Sequence, residues 1–119
     1  MFINVSNHVS SRWGAEQTSV AQALGGEIRD IKFPNVPPTA TTEEVTKMAD
    51  ELAAEVGFED TVMVSGEFSL TYALTKMLRA MHVTVVVACT ERTVEEVVKP
   101  DGSVEKKAVF RFVAFREVV

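Results

Sequence analysis

One cysteine, Cys89, stands among the 119 residues, so no internal disulfide can form and a reducing compartment is expected. Long apolar runs are missing as well. The longest, around Val83 to Cys89, falls far below the roughly 20 residues that span a bilayer. The opening Met1-Phe2-Ile3-Asn4-Val5 has no basic n-region and no long apolar run, so it is not read as a signal peptide, and the expected location is cytoplasmic. No basic stripe is present either. Residues 1–75 hold four basic and eleven acidic side chains, residues 76–119 hold eight and six, and the net charge is −5. Duplex nucleic acid is therefore not an expected partner, although N–H groups at a helix start can hold a small anion whatever the overall charge. No GxSxG elbow, P-loop or CxxC occurs, and His8, His82 and Cys89 lack metal-ligand spacing.

What is there is the composition of an ordinary folded protein. Hydrophobic residues make up 46% and charged residues 24%, which excludes disorder, and the length suits one domain, residues 1–119, with its own core. Phe2 to Ser6 reads as a buried strand that stops at the polar run Asn7 to Trp13. Ser11 is a candidate cap for a helix through about Leu24, with Gly25-Gly26 as its stop. Glu27 to Phe33 reads as a second strand, and Pro34, Pro37 and Pro38 enforce an extended loop. Thr41-Thr42-Glu43-Glu44 is a capping-box pattern that opens a helix to about Val56. Thr61 to Ser65 predicts a third strand, breaking at Gly66-Glu67 into a helix whose apolar face is Leu70, Ala73, Leu74, Met77 and Leu78. His82 to Cys89 predicts a fourth strand buried on both faces.

Glu91 to Val98 and Glu105 to Glu117 then form a hairpin around Lys99-Pro100-Asp101-Gly102-Ser103. In its second limb, Val109, Arg111, Val113 and Phe115 are expected on one face, with Phe110, Phe112, Ala114 and Arg116 on the other. The alternation βαβαβαβ predicts an α/β fold with a mostly parallel, Rossmann-like sheet, helices on both faces, and a C-terminal antiparallel hairpin.

In such a sheet, ligands sit beyond the carboxyl ends of the strands, where the strand order reverses. With the order 2-1-3-4, the loops after strands 1 and 3 share one crevice. The first loop brings together Asn7, His8, Ser10, Ser11, Arg12 and Trp13. Arg12 reads as an anion clamp, and Trp13 or His8 as a stacking surface. In the plainer alternative Ser11 is a cap, Trp13 is core, and Asn7 and His8 shape a turn. The second loop is Ser65 to Thr71. There Gly66 allows close backbone approach, the helix start attracts negative charge, and Ser69 and Thr71 add hydroxyls. Glu67 would accept from a ribose hydroxyl or adenine amine, act as a general base, or simply complement the helix dipole. Arg92, after strand 4, is a further anion contact or the partner of Glu91 in a solvated ion pair. His82 reads as structural and Cys89 as an inert thiol.

Three stretches together resemble the small stand-alone CRISPR-associated proteins built on CARF-type Rossmann domains. They are Ser-Asn-His followed by Ser-Arg-Trp in the first loop, the turn Gly66-Glu67-Phe68-Ser69-Leu70-Thr71, and the ending Phe110 to Glu117. In type III antiviral defence such domains recognise cyclic oligoadenylate second messengers, and some degrade them as ring nucleases. The resemblance implies a two-fold homodimer with the ring across its axis, and no cofactor or metal. It implies ligand contacts from Asn7, His8, Ser10, Ser11 and Arg12 and from Gly66, Glu67, Phe68, Ser69 and Thr71, to which the residues themselves add Trp13 and Arg92. Cleavage would proceed by metal-independent attack of a ribose 2′-hydroxyl, with Arg12, Ser11 and Glu67 as catalytic candidates. Two alternatives stand beside it. One is a non-enzymatic sponge, regulatory or interaction module docking through the hairpin, where Phe110, Phe112 and Phe115 lie beside Arg111 and Arg116. The other is an enzyme on another nucleotide-like ligand, with Glu67 or His8 as acid–base.

Overall fold

A computed structural model describes residues 1–119. Strand β1 (Phe2–Ser6) leads through a short 3₁₀ turn (Ser10–Arg12) to helix α1 (Ala15–Gly25) and strand β2 (Ile28–Lys32). Helix α2 (Thr42–Ala53), strand β3 (Thr61–Val64) and helix α3 (Phe68–Ala80) follow, and the long strands β4 (Thr84–Val98) and β5 (Val104–Glu117) end the chain. They form one sheet of order β2-β1-β3-β4-β5, parallel except for the antiparallel β4–β5 pair. This is an α/β fold with a mixed sheet, and the order reverses between β1 and β3 as expected. No helix is long and apolar enough to cross a membrane.

The two faces of the sheet are covered unequally. Ile3, Val5, Val62, Val64 and Val85 point to one face, where Val45, Ala49 and Leu52 of α2 and Leu70, Leu74 and Leu78 of α3 meet them in a core of 15 buried residues. The helical spacing of these residues produces the two apolar stripes. A full capping box starts α2: the Thr41 hydroxyl accepts from the Glu44 amide at 3.1 Å, and the Glu44 carboxylate accepts from the Thr41 amide at 3.3 Å. On the opposite face lie Phe2, Met63 and Val86, and of the helices only α1 covers them, contributing Ala21 as its one fully buried residue, with Trp13 of the preceding loop packed alongside. The helix sits close to the sheet. A Cβ on Gly25 would come within 2.4 Å of the Phe2 amide nitrogen, so only glycine lets α1 pass the start of β1.

Four sequence expectations change. Ser11 lies in the 3₁₀ turn and caps nothing; α1 starts at Ala15 behind Gly14, with no side-chain cap. Helix α2 stops at Ala53, although Val56 stays buried. Strand β4 begins at Thr84, after His82 turns the chain at φ 61°, and it runs through Cys89 to Val98 without a break. The faces of β5 also do not alternate evenly. Cys89 pairs with Ala114 but Thr90 pairs with Phe112, leaving Val113 as an unpaired bulge residue. A bulge shifts the phase of a strand by one residue, so Phe112 and Phe115 share a face, with ring centroids 4.9 Å apart.

Beyond the bulge, β4 and β5 leave the body as a two-stranded arm. All of Thr90–Val98 is exposed, and so is nearly all of Val104–Arg111. The radius of gyration is 17.2 Å and the longest extent 56 Å, against roughly 13–14 Å for a rounded chain of this length.

Candidate functional site

Asn4 is fully buried on β1, on the α1 side, and the parallel register sets Asp30 of β2 beside it. The Asn4 Nδ2 donates to Asp30 Oδ1 and to the His8 carbonyl, both at 2.8 Å. The Ser6 hydroxyl donates to Asn4 Oδ1 at 2.7 Å and accepts from the His8 amide at 3.1 Å. Asp30 in turn accepts from the Ser10 amide at 3.0 Å and the Ser10 hydroxyl at 2.8 Å. Partial burial pushes the Asp30 carboxyl up, but the hydrogen bonds from Asn4 and Ser10 outweigh it and hold the group below the usual carboxylate range. This network ties the loop after β1 down at His8 and Ser10. A buried amide with no partner would be costly, so the loop and the strand specify each other.

The fixed loop forms one wall of a crevice with a volume of about 790 Å³. Its floor is the carboxyl end of the sheet, from Ser6 through Val64 and Ser65 to Val87, Ala88 and Thr90, across the point where the strand order reverses. His8, Arg12, Trp13 and Gln17 stand on one side, and Phe110 and Phe112 from the base of the arm on the other; Arg111 between them borders the crevice, but its side chain is on the opposite face of the ribbon, across from Glu91. Trp13 is half-buried. It packs edge-on against Phe2 at 6.0 Å and against Phe115 at 6.2 Å, while lining the crevice. The volume falls in the range of small-molecule sites, and the lining combines the Arg12 guanidinium with aromatic surfaces.

The second loop does not share this crevice beyond Ser65. Glu67 is the N-cap of α3, and its carboxylate accepts from the Ser69 amide at 2.9 Å, the Leu70 amide at 2.9 Å and the Ser69 hydroxyl. The Ser69 hydroxyl bond, followed by the Leu70 and Ser69 amides, holds the Glu67 carboxyl below the usual carboxylate range. The N–H groups at this helix start are therefore taken by the chain's own carboxylate rather than presented to an anion. The same bonds make Glu67 a poor proton acceptor. Gly66 answers to packing, since a Cβ there would come within 2.6 Å of the buried Phe33 ring. Phe68 and Ser69 line a groove between α2 and α3, away from Arg12, and Phe68 stacks loosely on Tyr72 at 6.2 Å. The Thr71 hydroxyl is buried with no hydrogen-bond partner.

Asn7 and Glu67 instead line a smaller cavity of about 490 Å³ with Lys32 and Asn35. Arg92 lies out on the exposed arm. Its neighbour Glu91 is on the other face of the ribbon, opposite Arg111, so the expected Glu91–Arg92 pair is not formed. Asn4, Asp30 and Lys32 were not singled out by sequence, and Phe110 and Phe112 were singled out only as part of a docking surface on the hairpin. Asn4 carried a signal, a polar residue between apolar neighbours in β1, whereas Asp30, beside Arg29 in a strand with several charges, carried none.

The fold and crevice define an α/β protein with an open ligand-type cleft at the strand-order reversal. A family model described as the Uncharacterized protein MJ1673 family matches residues 1–116, and the chain belongs to that family. No curated protein and no solved structure matches the chain.

Proposed function

We propose that the crevice binds a cyclic oligoadenylate, and that the protein is a cytoplasmic CARF-like, Rossmann-type member of type III CRISPR signalling that cleaves this messenger. The observation that carries the proposal is the combination, in one cleft, of a guanidinium group, Arg12, with the aromatic surfaces of Trp13, Phe110 and Phe112. Phosphates call for the first, in bidentate charge-assisted hydrogen bonds, and adenine faces for the second. The choice of a cyclic oligoadenylate among nucleotides rests on the resemblance of Ser6-Asn7-His8, Ser11-Arg12-Trp13 and the Phe110–Glu117 ending to that family.

Cleavage needs no group beyond those of the ring and the cleft. The ribose 2′-oxygen attacks the adjacent phosphorus, losing its proton to water or to the His8 imidazole. The phosphorus–O5′ bond breaks, the 5′-oxygen takes up a proton, and a 2′,3′-cyclic phosphate remains. Arg12 offsets the charge gathering on the non-bridging oxygens, and the Asn4–Asp30 network keeps its loop in position. Ser11, one residue before Arg12, can add a hydroxyl donor. Glu67 has no part in this scheme, because its carboxylate is committed to α3.

The test is to incubate the purified protein with cyclic oligoadenylates of different ring sizes, following thermal stabilisation and product masses. Stabilisation by one ring size, lost in Arg12→Ala, is the expected result. Linear products ending in a cyclic phosphate would establish cleavage, and stabilisation without products would reduce the protein to a sponge or sensor. No shift and no product with any ring size would remove the proposal.

A further inference from the structure

Helix α1 turns one face to the sheet, where Ala21 is fully buried against Phe2, Met63 and Val86. Gln17 stands four residues earlier, so it falls on the same face one turn, about 6 Å, toward the helix start. There the helix reaches the crevice, and Gln17 lines it together with Trp13. The position is half-buried, yet the side-chain amide has no partner in the chain. The polar groups of the neighbouring loop and strands bond to one another instead, Ser6 to Asn4 and Ser10 to Asp30. Gln17 carries the only side-chain amide in the crevice. A half-buried amide that faces a cleft unpartnered is free to be satisfied by a ligand.

We propose that Gln17 reads the base of the ligand and selects adenine through its N6–N7 edge. This rests on the nucleotide reading of the crevice given above. The amide presents one acceptor, Oε1, beside the donors of Nε2. Adenine presents a donor, its 6-amino group, beside an acceptor, N7, so the two edges pair in two hydrogen bonds. The bases of a ring messenger are unpaired, which leaves that edge open. A base stacked on the Trp13 indole turns its edge to the helix that follows, where Gln17 is the first side chain that is not fully exposed. Hypoxanthine has nearly the same outline and stacks alike, but carries an oxygen in place of the amino group. Its O6 and N7 are both acceptors, so the amide can serve only one of them and sets its own oxygen against the other. Arg12 and Trp13 do not tell these bases apart, since a guanidinium holds phosphates and an indole holds ring faces whatever the edge. The Ser65 and Thr90 hydroxyls, which donate or accept alike, do not discriminate either.

Affinities of the full chain for cyclic oligoadenylates and for cyclic oligoinosinates of matching size test the assignment. The wild type should prefer adenylate by at least about tenfold. Gln17→Ala should lose most of that preference, by weakening adenylate and leaving inosinate within about twofold. Gln17→Arg should reverse it, because a guanidinium donates to O6 and N7 together. The two kinds of ring carry the same phosphates, so their ratio is blind to added charge, and circular dichroism confirms that each variant is folded. A wild type that binds neither ring removes the nucleotide reading and this inference with it. A wild type that binds adenylate without preferring it, or Gln17 variants that keep the full preference, overturn this inference alone.

Discussion

One face of the sheet is sealed and the other is not. Two amphipathic helices close a core of 15 buried residues on the α2–α3 side, whereas α1 alone rests on a cluster of four on the other. Every polar and aromatic group of the crevice, and the exposed Phe110, Val94 and Val98 of the arm, lies on or beside the thinly covered side. The buried Asn4 and Ser6 are there as well, aimed into a hydrogen-bond network rather than into hydrocarbon. Stability and recognition are thus divided across the thickness of a single sheet, with β1 contributing alternate residues to each task.

Substitutions should separate the two tasks. The largest loss is expected from Leu74→Ala, on the sealed side. Removing this fully buried side chain should cost about 2–5 kcal/mol, read by denaturant unfolding, and leave ligand binding by the folded fraction intact. Gly66→Ala follows, at about 1–3 kcal/mol, because the new methyl presses on the Phe33 ring inside the same core. Retained stability there would mean that Phe33 has room to move. On the thin side, Arg12→Ala should leave the unfolding midpoint where it is and weaken nucleotide binding by roughly ten- to a hundredfold, the value of one charge-assisted hydrogen bond or two. A variant that loses stability instead would erase the division.

The smallest effect is a pH dependence. Asp30 has a lowered pKa in the folded protein, so its contribution is fully present above the ordinary value of 3.8 and fades as pH falls through the folded value. Hydrogen exchange of the Ser10 amide should therefore rise at pH 3 relative to pH 6, beyond the intrinsic change, and Asp30→Asn should abolish that difference.

Helices α2 and α3 and the central strands were legible in the sequence because burial on the sealed side is periodic, and the strand order followed from the alternation of strands and helices. Leu70, Leu74 and Leu78 recur at helical spacing, and Val62 and Val64 at strand spacing. The loop Asn7 to Trp13 could also be found, because a run of mixed polar groups directly after an apolar strand is local information. Three things were not local. Asn4 looks like a lapse in an apolar strand until β2 brings Asp30 beside it. Gly66-Glu67 reads as an open helix start until the carboxylate folds back onto its own amides. The aromatic wall of the crevice comes from residues about 100 positions away, by way of a bulge that no alternation of side chains announces.

That bulge gives position 113 a property shared by no other place in the hairpin. Elsewhere in β4 or β5, losing one residue turns every side chain beyond the change to the wrong side of the ribbon. At Val113 the ladder already skips a residue, so a chain shortened there would close into an even ladder, with Phe110 and Phe112 still beside Phe115. Homologous chains can therefore differ in length at this joint without inverting the arm, and in an alignment a single-residue gap should settle there.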